Sequence, residues 1–167
     1  MVSVVIDSPR AVRRPWPPRA ALALIPLLLL AAGCGLPNRM RSMFGGQLPI
    51  EVTIAPEANE DRPLAVELIV AYDQKVVDEL LKIPARDWFV KREQFLRDHG
   101  EALDTWKWEW IPGQTVEPLE LTYGIGAKKV VLYADYLAPG DHRASIDPQR
   151  PFRLVLGESE LSLEALQ

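Results

Sequence analysis

The sequence predicts a mainly β protein, a two-sheet β-sandwich interrupted by one short helical insertion. From residue 50 onward, apolar and polar residues alternate in seven or eight short segments separated by Pro-, Gly- and Asp-rich turns. Between residues 73 and 98 the apolar period changes from two to that of a helix. The chain therefore divides into a leader (1–33), a tether (34–49) and a sandwich domain (50–167) with the helices at about 73–98.

The elements follow in order. Ile50, Val52 and Ile54 share one face of a half-buried strand over 50–55. A polar loop, Pro56 to Pro63, carries Asn59, Glu60, Asp61 and Arg62. The segment 64–72 is apolar on both faces, as in a strand internal to its sheet. Asp73 can cap a helix over 74–81, and Pro84 can open a second one that ends near Asp98, before Gly100. In the second helix Trp88, Phe95 and Leu96 fall on one face. Both helices are short and need packing against something larger, which places them over one end of the sandwich. Trp106, Trp108 and Trp110 then alternate with Lys107 and Glu109 in a strand from Asp104. Ile111-Pro112-Gly113-Gln114 has the type II turn signature. The next segment, 115–123, contains Pro118 and suits an edge or a bulge. Residues 128–136 give the strongest strand signal, 143–146 are short, and 152–156 with 160–165 form a closing pair around Gly157.

Ahead of this domain, Ala20–Cys34 reads as a lipoprotein signal segment. Arg10, Arg13, Arg14 and Arg19 precede an apolar run from Ala20 to Ala32, and small residues lead to Cys34, the single cysteine. A membrane-spanning helix needs about 20 apolar residues, so this run is too short, and Pro26 interrupts it. An ordinary signal peptide or a short buried helix would leave Cys34 without a purpose. Cleavage before it and acylation of its sulfur give it one, and several acyl chains hold where one holds only weakly. The leucine of the usual Leu-Ala-Gly-Cys box stands one place early, at Leu30, and Ala31 takes its position. Gly35, rather than an aspartate, follows the cysteine, as in lipoproteins sent to an outer membrane. From Leu36 to Pro49 the tether could reach roughly 45 Å.

Composition narrows the function. Without residues 1–33 the chain has 15 basic and 22 acidic residues, a net charge near −7. It lacks the basic face that nucleic-acid binding requires. No constellation for catalysis stands out. The two histidines, His99 and His142, fall at a helix end and in a turn, a poor start for a metal site. There is no G-x-S-x-G elbow, and Gly124-Ile125-Gly126 lacks the third glycine and the helix of a phosphate cradle. No cofactor, metal or small-molecule substrate is expected, and the chain reads as a non-enzyme. The three tryptophans could form an exposed strip for carbohydrate or a partner, but their alternation with charges places them on the inward face, with one partly exposed.

The order of these features resembles the TssJ family, the outer-membrane lipoproteins of type VI secretion systems. The resemblance rests on Asn59 with Arg62-Pro63, the strand 64–72, Arg86-Asp87-Trp88-Phe89, Pro112-Gly113, Gly126 through Tyr133-Ala134-Asp135-Tyr136, and His142-Arg143. It spans about residues 50–147. His142-Arg143 stands where Trp-Arg is usual, and Asp135 where an arginine is expected. The resemblance implies a transthyretin-like sandwich, lipid-anchored at the periplasmic face of the outer membrane. It also implies a structural role, fastening the periplasmic part of a large inner-membrane component. Partner contact would fall on the first loop, with Asn59, Glu60, Asp61, Arg62 and Pro63 as candidates. The alternatives from the residues themselves are a lipoprotein that binds carbohydrate or peptide, and a pilotin.

Overall fold

The computed structural model describes residues 45–166. The signal segment 1–33, Cys34 and the tether up to residue 44 lie outside the described residues. Within them the chain forms eight strands: β1 Gly46–Ile54, β2 Leu64–Ala71, β3 Leu103–Trp110, β4 Leu119–Tyr123, β5 Lys129–Ala134, β6 Arg143–Ile146, β7 Phe152–Leu156 and β8 Leu161–Ala165. Two helices, α1 Gln74–Leu80 and α2 Ala85–His99, lie between β2 and β3. The strands make two four-stranded sheets, ordered β4-β1-β7-β8 and β3-β2-β5-β6. The β1–β7 pair is parallel and the others are antiparallel.

Alternation builds the core between the sheets. Leu48, Ile50 and Ile54 of β1 face Val66, Leu68 and Val70 of β2, with Val130, Leu132, Phe152, Leu154 and Leu156 closing the layer. Each fully buried side chain of this kind contributes about 1.5–3 kcal/mol. The other face of β2 is not free. Ile69 and Ala71, with Val131 and Tyr133 of β5, pack against Val76, Val77 and Leu80 of α1 and Trp88 of α2. The insertion therefore covers the outer face of the second sheet, rather than one end of the sandwich as the sequence suggested. The reason lies in β2 and β5, which are apolar on both sides and need a third layer. Asp73 caps α1 as expected, its Oδ1 accepting from the N–H groups of Lys75 (2.7 Å) and Val76 (3.3 Å).

Two boundaries differ from the expectation. β1 starts at Gly46, so residues 46–49, assigned to the tether, belong to the sheet, and Leu48 is fully buried. Pro49 pairs with Glu120 of β4, while β7 joins β1 only from Ile50. The proline thus sits where β1 has a neighbour on one side, and its missing N–H is tolerated. β4 forms only from Leu119, because Pro118 delays pairing. His99, at the end of α2, faces Glu79, Nε2 to Oε2 at 3.5 Å, and packs on Phe95. No helix among the described residues is long and apolar enough to cross a membrane.

The strand directions define two ends. β1 runs from Gly46, next to the tether, to Ile54, about 26 Å away at roughly 3.3 Å per residue. The β1–β2, β3–β4, β5–β6 and β7–β8 connections all gather at that far end, called distal here. The helical insertion, the β4–β5 turn and the β6–β7 loop leave β2, β4 and β6 at the opposite end, the base.

Candidate functional site

The distal end centres on the β1–β2 loop, residues 55–63. Asn59, Glu60 and Asp61 have φ values of 51°, 55° and 60°, three consecutive left-handed residues without a glycine. Left-handed backbone costs L-residues roughly 1–2 kcal/mol each, with Asn and Asp the most tolerant. Such a turn persists only when its surroundings hold it.

Asn59 supplies that hold. It is 3% exposed. Its Nδ2 donates to the Pro63 carbonyl (3.0 Å), and its Oδ1 accepts from the Leu137 N–H (2.8 Å). Its own N–H donates to the Glu158 carbonyl (2.9 Å), and its carbonyl accepts from Arg62 N–H (3.1 Å). One residue therefore ties the β1–β2 loop to the β5–β6 loop and the β7–β8 turn. Of the five candidate contact residues, Asn59 is buried and braces the loop from within, its side chain bonded to Pro63 and Leu137. Glu60, Asp61, Arg62 and Pro63 all lie at the surface.

The neighbours are braced as firmly. Gly113, at φ 68°, takes the third position of the expected type II turn, where a positive φ favours glycine. Gln114 N–H donates to the Ile111 carbonyl (3.1 Å), and Gly113 N–H ties the turn to the Ala55 carbonyl (3.0 Å). Tyr136 Oη donates toward the carbonyls of Gly157 (3.1 Å) and Glu160 (2.9 Å). Burial pushes that phenol well above its ordinary range, with the Glu160 charge adding to it. His142, at φ 41°, lies on Tyr136 and places Nε2 2.7 Å from the Ala138 carbonyl. Arg143 donates to the Ile83 carbonyl (2.7 Å) and to Asp141 (2.9 Å), joining this end to the helical insertion.

The remaining sequence motifs have structural explanations. Trp88 stacks on Tyr133, centroids 4.9 Å apart, and meets Phe95 edge-on. The tryptophans of β3 face the core: Trp110 is buried, and Trp106 and Trp108 are half-buried because β3 is an edge strand. Trp108 and Trp110 stack at 5.4 Å. Two half-buried indoles, rather than one, reach solvent. Among the described residues no group of three or more His, Cys, Asp or Glu is placed to hold a metal ion.

Sequence reasoning missed Glu67, which is fully buried on the helix-facing side of β2. Trp88 Nε1 donates to its Oε2 (3.1 Å), Arg92 lies at 3.4 Å from the same oxygen, and Lys107 Nζ lies 3.7 Å from Oε1. The available signal was a lone carboxylate inside a strand apolar on both faces. It serves the packing of α2 and lies away from the distal end.

No family model matches the sequence. No curated protein matches it significantly either. Solved structures do match in shape. The T6SS lipoprotein TssJ1 from Pseudomonas aeruginosa aligns at TM-score 0.53 and 18% identity, over 74% of this chain and 98% of that one. Serratia marcescens Lip, a membrane-bound component of the type VI secretion system, aligns at 0.56 and 16%, over 74% and 99%. A chain in the structure of the T6SS protein TssM C-terminal domain from EAEC aligns at 0.52 and 15%, over 73% and 98%. The described domain thus has the mainly β, two-sheet fold of the type VI lipoproteins TssJ1 and Lip, with helices between its second and third strands.

Proposed function

We propose that this chain is a TssJ-type lipoprotein of a type VI secretion membrane complex. It is acylated at Cys34, held at the periplasmic face of the outer membrane, and binds the periplasmic part of the TssM-type inner-membrane component. The observation that carries the reading is the near-complete coverage of TssJ1 and Lip by this fold, 98% and 99% of those chains, together with the lipoprotein segment ahead of it. The direction of β1 supports it. β1 begins next to the tether and ends at the braced β1–β2 loop, about 26 Å farther along the strand. Residues 35–45 add a reach of about 35 Å. Confinement to a surface raises the effective concentration of the domain for a partner crossing the periplasm. Glu60, Asp61, Arg62 and Pro63 form the contact, and Asn59 holds them in shape.

The test is capture of the neighbouring TssM-type periplasmic domain by the lipoprotein, using wild type and a Glu60→Ala/Asp61→Ala/Arg62→Ala variant. Specific capture, weakened tenfold or more in the variant, is expected. Absence of capture by wild type sinks the role. Undiminished capture by the variant removes the loop.

A further inference from the structure

We infer that the whole distal end, beyond the β1–β2 loop, is an acidic docking face for a partner surface that carries lysines and arginines around an apolar contact. This rests on the anchoring role proposed above and specifies the chemistry of its partner.

Two independent features coincide there. The first is apolar. Ile111 is 59% exposed and Leu137 41% exposed, and they flank the β1–β2 loop on its two sides. Ile111 starts the turn bound to Ala55, and Leu137 is bound to Asn59. The second is charge. The four distal connections, 55–63, 111–118, 135–142 and 157–160, contain eight carboxylates and one arginine, Arg62. Of these carboxylates only Asp141 has an ion-pair partner among the described residues, Arg143. At the base, segments 72–73, 100–102, 124–128 and 147–151 contain three carboxylates and two cations. The four distal connections thus carry a net charge near −7 against about −1 for the base segments, with Arg143 and Lys82 as the cations beside the β5–β6 loop.

Relief accompanies the charge. A cleft of about 510 Å³ lies between the β5–β6 loop and the β7–β8 turn, with Asp141, His142, Arg143, Ser159 and Glu160 among its walls and Asp141 already paired to Arg143. On its β7–β8 side Glu160 and Ser159 offer a carboxylate and a hydroxyl acceptor to a partner's guanidinium or ammonium group. Like charges repel one another within the screening length of about 8–10 Å. A face of this kind gains from an oppositely charged partner, mainly through faster association.

The experiment follows association of the lipidated protein in nanodiscs with the TssM-type periplasmic domain of the same bacterium. The distal variant is Glu57→Gln/Glu60→Gln/Glu158→Gln/Glu160→Gln, all at exposed positions. The control is Glu101→Gln/Glu120→Gln, at the base. For wild type, the association rate should fall about tenfold or more between roughly 50 and 300 mM salt. The distal variant should associate about tenfold more slowly at low salt, with little change in dissociation, and the control should match wild type. A salt-independent rate, or equal slowing by both variants, overturns the inference while leaving the anchoring role intact. If wild type does not bind, the anchoring role fails, and hexalysine titration followed by NMR decides the charge inference. Shifts confined to the distal loops uphold it, whereas shifts elsewhere or none overturn it.

Discussion

Replacing Glu67 by alanine should be among the most damaging single changes in the domain. The carboxylate is fully buried beneath α2 and accepts from the buried Trp88 indole, with Arg92 and Lys107 beside it. Glu67→Ala strands the indole N–H, a cost of about 1–3 kcal/mol. The space vacated adds about 1–2 kcal/mol. The sum, about 2–5 kcal/mol, overlaps the 3–5 known for removing one partner of a fully buried ion pair, although Arg92 and Lys107 here are partly exposed. Glu67→Gln keeps an acceptor for the indole and should cost about 1–2 kcal/mol. The double change Glu67→Met/Trp88→Phe removes both polar partners and should cost at least 1 kcal/mol less than the sum of its single changes. The assay is equilibrium urea unfolding of a soluble version that begins after Cys34. With a slope of about 1.5 kcal/mol/M, the alanine variant should unfold about 1.3–3.3 M earlier. A shift under about 0.5 M, or strict additivity in the double variant, would refute the reasoning.

Three further outcomes are expected. Asn59→Ala loses two side-chain hydrogen bonds and puts a residue less tolerant of φ 51° in the left-handed turn, so it should cost about 2–4 kcal/mol in the same assay. Asn59→Gly loses the bonds but relaxes the backbone, so it should be milder; a glycine variant worse than the alanine one contradicts this account. Tyr72 donates to Asp104 and accepts from Gly124, and burial with the Asp104 bond raises its pKa to about 12. The neutral phenol is the form the fold favours. Its contribution is complete below the unfolded value near 10 and disappears as pH rises through about 12. Alkaline unfolding beginning only above pH 10, with tyrosinate absorbance appearing together with loss of structure, is the expected record; tyrosinate formation before unfolding contradicts it. The inward tryptophans should leave intrinsic fluorescence unchanged on titration with soluble oligosaccharides, and a saturable shift would reinstate a sugar-binding face.

Much of the fold was legible because its strands alternate strictly. β6 and β7 fell on the expected residues, and the helices within one or two of theirs. What the sequence concealed were relations across the chain. Nothing local in Leu64–Ala71 states that its second apolar face is covered by α1 and Trp88, so the place of the helices is not legible there. Pro49 reads as a breaker until the staggered arrival of β7 on β1 is known. Asn59 looked like an exposed polar loop residue. Its burial depends on Leu137 and Glu158, 78 and 99 positions away, and no window of sequence contains that contact. Glu67 was passed over for the same reason, since its partners come from α2 and β3.

The most direct measurement is sedimentation of membranes on a density gradient, with the TssM-type component followed in cells carrying either the native lipoprotein or Cys34→Ser. With Cys34 in place, part of that inner-membrane component should travel with the outer-membrane fraction, and with serine it should band at inner-membrane density alone. Identical profiles in the two strains would contradict the claim that a lipid on this cysteine ties one membrane to the machinery of the other.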